Sequence, residues 1–177
     1  MTYEVLIAGF GGQGVMAMGK SLAEAGLRQN LNVSWLPSYG PEMRGGTANC
    51  SVVLSDEEIT TPIVLTGNAV VVMNNPSLDK YESALEPGGL LLINSSVVTK
   101  EPVRKDIRTV CVPANDIAQE LGNGKVMNMV MLGAFAAATG FLKLDTIQEM
   151  IQKMYTGPKA KLVPLNQEAL MRGAACI

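Results

Sequence analysis

The chain has 177 residues, the length of one ordinary domain, and such a domain buries roughly 70% of the surface that its unfolded chain exposes. Hydrophobic residues make up 47% of the sequence and charged residues 17%, and the net charge is −2. This composition lacks the basic surface that nucleic acids or anionic bilayers attract, so we expect neither as a partner.

The chain contains no histidine, and its three cysteines, Cys50, Cys111 and Cys176, are far apart in the sequence. Histidine-based catalysis and the usual zinc and haem sites are therefore excluded, and three scattered thiols cannot ligate a four-cysteine iron–sulfur cluster. An odd number of separated thiols is typical of a reducing compartment. Because the amino terminus shows no signal-peptide pattern, we expect a cytoplasmic protein.

The first third of the chain predicts a strand, a glycine-rich turn and a helix, followed by two strands. Residues 3–10 form an apolar run that ends in glycines, and residues 16–29 have helix-compatible apolar spacing. Residues 32–38 and 47–59 predict two strands joined by a loop rather than by a helix. An antiparallel or edge position is therefore expected for the later strand.

The middle of the chain predicts three more strands. Residues 68–76 form a β-branched run typical of a strand buried on both faces. A helix should follow, with Ser77 as its N-cap and residues 87–89, Pro-Gly-Gly, as its end. Residues 90–96 and 109–115 repeat the strand pattern, and the charged segment between them predicts a solvated surface connection.

The last third predicts helices at residues 116–121, 126–139 and 144–154 and a further helix at the end of the chain. The apolar run at residues 126–142 is interrupted by polar residues and glycines, which favours a buried core helix over a membrane span. Strands alternating with helices, without a repeat or a linker, predict an α/β fold. We expect one domain over residues 1–177, with three α/β/α layers, a mostly parallel but mixed sheet and a Rossmann-like first βαβ unit.

The turn after the first strand matches the pattern GxGxxG with Gly9, Gly11 and Gly14. Glycines there let the backbone turn sharply and bring its N–H groups, with the positive end of the next helix, close to an anion. Binding of nicotinamide dinucleotides would also need an acid at the tip of the second strand, whereas the first acid, Glu42, lies within a Pro/Gly loop. Another phosphate group is therefore favoured, and tight packing of the first helix is the alternative.

Parallel strands bring their carboxyl ends to one edge of a sheet, where ligands of open α/β folds bind. Arg44 in the 38–46 loop has the geometry to bind a phosphate or carboxylate, and an internal pair with Glu42 is the alternative. Tyr39 is suited to stack on a flat ligand or to pack on a partner, and the alternative is that it only anchors the loop. The edge lacks a general base, which indicates binding rather than catalysis. Its other expected members are the glycine turn, Asn74, Asn75, Asn94, Ser95 and Ser96.

Three motifs in order, "IAGFGGQGV", "SYGPEMRGG" and "MNMVMLGA", resemble the gamma subunit of 2-oxoacid:ferredoxin oxidoreductases, and the resemblance covers nearly the whole chain. It implies oxidative decarboxylation of a 2-oxoacid (pyruvate, 2-oxoglutarate or a branched-chain acid) with coenzyme A, giving acyl-CoA, carbon dioxide and reduced ferredoxin. Thiamine diphosphate and the iron–sulfur clusters would belong to the partners, which are subunits of alpha, beta and delta type. Because no ferredoxin-type segment is attached, we expect a separate subunit.

The resemblance also implies which segments face coenzyme A or the catalytic subunits. Tyr39 and Glu42 are expected to contact another subunit, and Asn128 to hydrogen-bond the loop or to act as a helix cap or buried amide. We expect no catalytic residue and no metal ligand in this chain. The alternatives are a stand-alone dinucleotide-binding oxidoreductase and a purely structural assembly subunit. The expected coenzyme-binding residues are Gly11, Gly12, Gln13, Gly14, Ser38, Arg44, Gly45 and Gly46.

Overall fold

The computed structural model describes residues 1–38 and 47–177. Within these residues six strands form one sheet: β1 (Thr2–Phe10), β2 (Asn32–Ser38), β3 (Thr47–Ser55), β4 (Gly67–Val72), β5 (Leu85–Asn94) and β6 (Arg108–Val112). Their order is β2-β3-β1-β4-β5-β6, in which β1, β4, β5 and β6 pair in parallel and β3 is antiparallel to both of its neighbours. The expected mixed α/β sheet is confirmed.

The structure decides between the two positions expected for β3. It is antiparallel, as predicted, but it lies inside the sheet, between β1 and β2, and β2 forms the edge. The connection over residues 39–46 is shorter than the dozen or more residues that a parallel crossover needs, so β3 pairs back onto β2. The first β-α-β unit therefore has parallel strands with a third strand inserted between them.

Six α-helices occur in the described residues: α1 (Val15–Arg28), α2 (Asn75–Tyr81), α3 (Ala114–Glu120), α4 (Met127–Thr139), α5 (Leu144–Met154) and α6 (Val163–Ala174). Short 3-10 turns cover Glu82–Ala84, Gly124–Val126 and Gly157–Leu162. The predicted helices at residues 126–139 and 144–154 are confirmed to within one residue.

The helix after β4 is shorter than predicted, and its N-cap is different. The side chain of Asn74, not that of Ser77, caps α2, because the Asn74 amide oxygen accepts from the Ser77 N–H at 2.8 Å. The helix ends at Tyr81, since Leu85 is already paired with Gly67 in the sheet. The Pro-Gly-Gly segment, residues 87–89, lies inside β5, where a register shift accommodates it.

The two faces of the sheet are covered unequally. Helices α1, α3, α4, α5 and α6 contribute to the larger apolar core on one face. On the other face α2 and loop residues such as Val64 and Val98 cover a smaller core around β4 and β5. This gives the expected helix–sheet–helix layering, with most of the helical mass on one side.

Helix α4 is buried over most of its length, as predicted for residues 126–142. It packs against α1, α3, α5 and α6, and it crosses α6 where Gly133 and Gly173 bring the two backbones into contact. Among the residues that the structure describes, no helix is both long and apolar enough to cross a membrane. This packing places the first turn of α4 against the start of α1.

Candidate functional site

The turn between β1 and α1 presents backbone N–H groups at the carboxyl end of β1. Gly12 and Gly14 have φ angles of 88° and 75°, in the left-handed region that glycine adopts without steric cost. The Gln13 N–H donates to the Phe10 carbonyl at 3.2 Å. Within residues 1–38 and 47–177, the N–H groups of Gly11, Gly12 and Gly14 donate to no protein acceptor. The first turn of α1 carries no acidic residue, so the positive end of the helix adds to these donors.

The side chain of Gln13 holds this turn in place. Its amide oxygen accepts from the Phe10 N–H at 2.7 Å and from the Asn74 side-chain amide at 3.1 Å, and its amide nitrogen donates to the Met73 carbonyl at 3.1 Å. Both the side chain and the backbone N–H of Gln13 are thus engaged within the protein. The residue positions the turn, and the donors left for a ligand come from the glycines.

Gly9 and Gly12 serve this segment in different ways. A Cβ at Gly9 would lie 2.8 Å from the Met73 Cβ and 2.9 Å from a Val15 methyl group, so Gly9 allows the helix and sheet to pack closely. A Cβ at Gly12 would meet no described atom within 4 Å. The tight-packing alternative therefore holds for Gly9, whereas no described residue packs beside Gly12.

A shallow cavity of about 270 Å³ lies over the turn. The side chains that line it are apolar, so the hydrogen-bond donors there come from the backbone, and no titratable group lies in its described lining. Such a surface suits contact with an anion through N–H groups beside an apolar stretch of ligand. The lining residues are Phe10, Gly11, Gly12, Gly14, Val15, Met16, Ala17 and Ala48.

Ser38 lies on the same edge of the sheet as the turn. It is exposed at the end of β2 and pairs with Asn49, which in turn pairs with Ala8 of β1. Two strand spacings separate Ser38 from Ala8, about 10 Å. The other loop residues expected to take part, Tyr39, Glu42, Arg44, Gly45 and Gly46, lie outside the described residues.

The asparagines expected to offer polar groups at this edge form hydrogen bonds within the protein instead. The prediction that their side chains form an open polar rim was wrong. Asn74 is buried and caps α2, and the buried Asn94 donates its amide to the Asn115 amide oxygen at 2.7 Å. The Asn75 amide oxygen accepts from the N–H groups of Thr99 and Lys100. These side chains stabilise the loops after β4 and β5, which leaves the glycine turn as the open part of the edge.

Asn128 lies beside the turn but does not cap α4. A Cβ placed on Gly14 would lie 3.4 Å from the Asn128 Cβ, and the N-cap of α4 is Val126. Among the described residues the half-buried Asn128 side chain makes no hydrogen bond. Of the expected roles, the helix cap and the buried amide are wrong, because Val126 is the N-cap and Asn128 is half-buried. The expected bond to the 38–46 loop stays a prediction, because residues 39–46 lie outside the described residues.

The described residues contain neither an activated nucleophile nor a metal cluster. Burial raises the pKa of the Cys50 thiol to about 12, so this thiol stays protonated; its Sγ lies 3.6 Å from the Val15 carbonyl oxygen. No group of three or more acidic or cysteine side chains within residues 1–38 and 47–177 is arranged to hold a metal ion. The site offers binding groups, and its described part lacks the acid, base or nucleophile of a self-contained catalyst.

These features define a Rossmann-like α/β domain in which the N–H groups of Gly11, Gly12 and Gly14, in the turn between β1 and α1, have no acceptor among the described residues. Comparison with known families gives the particular assignment: the chain belongs to the pyruvate ferredoxin/flavodoxin oxidoreductase family, whose family model matches residues 4–176. The resemblance inferred from the three sequence motifs is thereby confirmed.

Two curated relatives from Methanothermobacter marburgensis differ in length. The chain is 40% identical over 172 residues to ketoisovalerate oxidoreductase subunit VorA, and the match covers 96% of this chain but 35% of that protein. It is 38% identical over 159 residues to 2-oxoglutarate synthase subunit KorC, with 86% of both chains covered. The chain thus spans about a third of the length of VorA and most of KorC.

Two solved structures share this fold. The gamma subunit of a keto/oxoacid ferredoxin oxidoreductase from Geobacter sulfurreducens superposes with a TM-score of 0.83 at 31% identity, over 98% of this chain and 97% of that chain. The 2-oxoglutarate:ferredoxin oxidoreductase from Magnetococcus marinus, with 2-oxoglutarate, coenzyme A and succinyl-CoA bound, superposes with a TM-score of 0.89 at 22% identity. That second match covers 99% of this chain and 31% of the other, and at this identity it shows the fold alone.

Proposed function

We propose that residues 1–177 form a single gamma-type domain that serves in a multi-subunit 2-oxoacid:ferredoxin oxidoreductase. The complex would convert a 2-oxoacid and coenzyme A to acyl-CoA and carbon dioxide and transfer the electrons to ferredoxin. Family membership and the likeness to KorC over 86% of both chains support the subunit role. The names of the relatives include ketoisovalerate and 2-oxoglutarate, and we assign the choice of 2-oxoacid to the companion subunits.

The role proposed for this chain is to bind coenzyme A at the turn between β1 and α1. The observation that carries it is the set of N–H groups of Gly11, Gly12 and Gly14, which have no described protein acceptor and face an open cavity. N–H donors of this kind at a helix N-terminus bind phosphate groups, and coenzyme A carries a diphosphate next to a long, partly apolar arm. Ser38 on the same edge, together with Arg44, Gly45 and Gly46, would complete the contact.

Thiamine diphosphate and the iron–sulfur clusters would be held by the companion subunits of alpha, beta and delta type. The donors in the described part of this chain do not fit a cluster, because Cys50 is buried, Cys111 and Cys176 are exposed, and no further cysteine exists. Ferredoxin would therefore receive its electrons from a partner. Tyr39 and Glu42 are proposed to contact a neighbouring subunit, and the assembly is proposed to be cytoplasmic.

A matched pair of substitutions tests the proposed role. Gly12→Ala adds a methyl group on the ligand side of the turn, and Gly88→Ala makes the same change at a residue with φ 77° and no described neighbour within 4 Å. Gly88 follows Glu86 and Pro87 in the cavity around Met1 and Arg108, at the opposite edge of the sheet. Both changes place alanine in the left-handed region at a similar steric cost of about 1–2 kcal/mol.

In the reconstituted complex, Gly12→Ala should raise the KM for coenzyme A about tenfold, because the added methyl group holds the phosphate away from the N–H groups of the turn. Tenfold corresponds to about 1.4 kcal/mol, the scale of one hydrogen bond to a charged group. Gly88→Ala should leave it unchanged, and size-exclusion chromatography should show that both variants assemble. An unchanged KM in Gly12→Ala with intact assembly would favour a purely structural subunit. A thermal shift of the chain with millimolar NAD or FAD would instead favour the stand-alone oxidoreductase.

A further inference from the structure

A second and larger cleft lies between α1, the start of α4 and the end of α5. Its volume is about 440 Å³, within the range of small-molecule sites. It adjoins the glycine turn, because Ala17 lines both cavities and Asn128 lies against Gly14. The lining residues are Ala17, Lys20, Ser21, Glu24, Arg28, Asn128, Met129, Lys153, Met154 and Tyr155.

The charge of the cleft is opposite to that of the chain. Three cations, Lys20, Arg28 and Lys153, face one carboxylate, that of Glu24, so the lining carries a net charge of +2 (3 − 1). The chain as a whole has a net charge of −2. An Arg28 guanidinium nitrogen lies 2.9 Å from the Glu24 carboxylate, which fixes the direction of the guanidinium and leaves the two lysines for another anion.

Two polar groups of the lining have no hydrogen-bond partner in the described part of the chain. The Nε atom of Arg28 is buried and unpaired, and the amide of Asn128 makes no hydrogen bond. The half-buried Asn128 lines the cleft, so its amide is accessible to a polar atom of a bound ligand. The Arg28 Nε has almost no accessible surface, so a ligand in the cleft does not reach it.

The remaining walls are apolar and suit a flat ring. Met129 lies at the back of the cleft, Met154 is 43% exposed at its rim, and Tyr155 is half-buried beside it. Thioether and aromatic side chains pack well against planar groups. We propose that this cleft binds the phosphate ester of a ring-bearing small molecule, with Lys20 and Lys153 toward the phosphate and Met154 and Tyr155 toward the ring.

One source of such a ligand rests on the proposed function. Coenzyme A ends in an adenosine 3′-phosphate, and α1, with 14 residues, is about 21 Å long, so one extended molecule can reach from the glycine turn to this cleft. The other source is a separate nucleotide, which would bind here without using the turn. Both sources present the same chemistry to the cleft, a phosphate beside a heteroaromatic ring.

Isothermal titration calorimetry on the complete chain tests the proposal with adenosine 3′,5′-bisphosphate, coenzyme A and inorganic phosphate as probes. Lys20→Gln and Lys153→Gln each remove a charge from an exposed side chain of the cleft, and Lys105→Gln removes one from a surface loop elsewhere. Each cleft substitution should weaken adenosine 3′,5′-bisphosphate about fivefold to tenfold, and Lys105→Gln should leave its affinity unchanged.

The substitution Gly12→Ala separates the two sources. If the lysine substitutions and Gly12→Ala all weaken coenzyme A, the cleft holds the adenosine end of that ligand. If adenosine 3′,5′-bisphosphate depends on the lysines while coenzyme A is insensitive to Gly12→Ala, the cleft takes a separate nucleotide and the role proposed for the turn is wrong. Absent binding, binding insensitive to both lysines, or inorganic phosphate binding as tightly as the bisphosphate would overturn the proposal for the cleft.

Discussion

The crossing of α4 over α6 and the turn between β1 and α1 both depend on glycine, but they use its missing side chain differently. At the crossing, the space beside Gly133 and Gly173 is filled by the backbone of the other helix, at Leu170 and Val130 respectively. At the turn, Gly12 has no described neighbour within 4 Å, and its backbone needs a positive φ.

The difference shows that a glycine marks either a packing contact or a surface open to a ligand, and that the distinction depends on what surrounds it. Gly9 lies three residues before Gly12 in the same motif, yet it belongs with the packed crossing, since Met73 and Val15 fill the space beside it. The segment from Gly9 to Gly14 therefore combines both uses, although Gly12 is not one of the three glycines that the pattern GxGxxG requires. We expect the packed glycines to control stability and the open one to control binding.

The largest expected effect is that of Gly173→Ala in α6. Helix propensity alone would favour alanine by about 1 kcal/mol, but the new methyl group would overlap the Val130 carbonyl oxygen. We expect the steric overlap to outweigh the gain in helix propensity and to lower the free energy of unfolding by about 3 kcal/mol or more. Urea denaturation measures this, with Gly124→Ala as control because no described atom lies within 4 Å of its Cβ position. Equal stability of the two variants would contradict the packed crossing.

The next effect is that of Gln13→Ala, which leaves the glycines in place but removes the side chain that holds the turn. Three hydrogen bonds are lost, to Phe10, Met73 and Asn74, and we expect a loss of about 2 kcal/mol in the free energy of unfolding. The exposed Gln152→Ala serves as the control, with a change near zero. If Gln13→Ala left stability unchanged but weakened coenzyme A as strongly as Gly12→Ala, Gln13 would be a ligand contact rather than a support of the turn.

A smaller effect on stability is expected from substitutions at the start of α2, next to the same turn, where Asn74→Ala and Ser77→Ala should differ. Asn74→Ala removes the N-cap and a bond to Gln13, so we expect a loss of about 1.5 kcal/mol in thermal or urea unfolding. The hydroxyl of Ser77 is buried without a partner in the described part of the chain, so Ser77→Ala should be neutral or slightly stabilising. A larger loss of stability in Ser77→Ala than in Asn74→Ala would instead identify Ser77 as the N-cap.

The smallest predicted effect is a pH-dependent change in the free energy of unfolding that comes from Cys50, which packs beneath Gly19 of α1. This change is small at neutral pH and grows at alkaline pH. Burial raises the pKa of its thiol from 9.0 to about 12 in the folded protein. The unfolded chain therefore loses this proton first, and the contribution of Cys50, complete below pH 9, falls as the pH rises toward 12. At pH 10 the loss is on the order of 1 kcal/mol relative to pH 8. Cys50→Ala should lack this slope, and identical slopes would show that the thiol is hydrated.

Much of the fold was predictable, because apolar periodicity records which faces of an element are buried. The even burial of α4 and the apolar face of α5 were readable from residues 126–154. The position of β3 inside the sheet was not, since alternation along a strand does not identify the strands beside it. The cap of α2 was misassigned by three residues, because Asn74 and Ser77 are both good N-cap residues and the end of β4 decides between them.

The candidate site was predictable only in part. The glycine motif located the turn, but it did not show that Gln13 and Asn74 bond each other or that Gly9 packs while Gly12 is open. The cationic cleft left no sequence signal, because Lys20 and Lys153 are 133 residues apart (153 − 20) and meet only through the packing of α1 against α5.

The central claim is that this chain contributes backbone donors of an open glycine turn to coenzyme A, while the chemistry takes place on companion subunits. Its most direct test is the KM for coenzyme A in the assembled enzyme, with the chain carrying either Gly12→Ala or Gly88→Ala. We predict an increase of about tenfold for Gly12→Ala alone, at equal assembly. The same KM in both enzymes, or 2-oxoacid turnover by this chain without its companions, would contradict the claim.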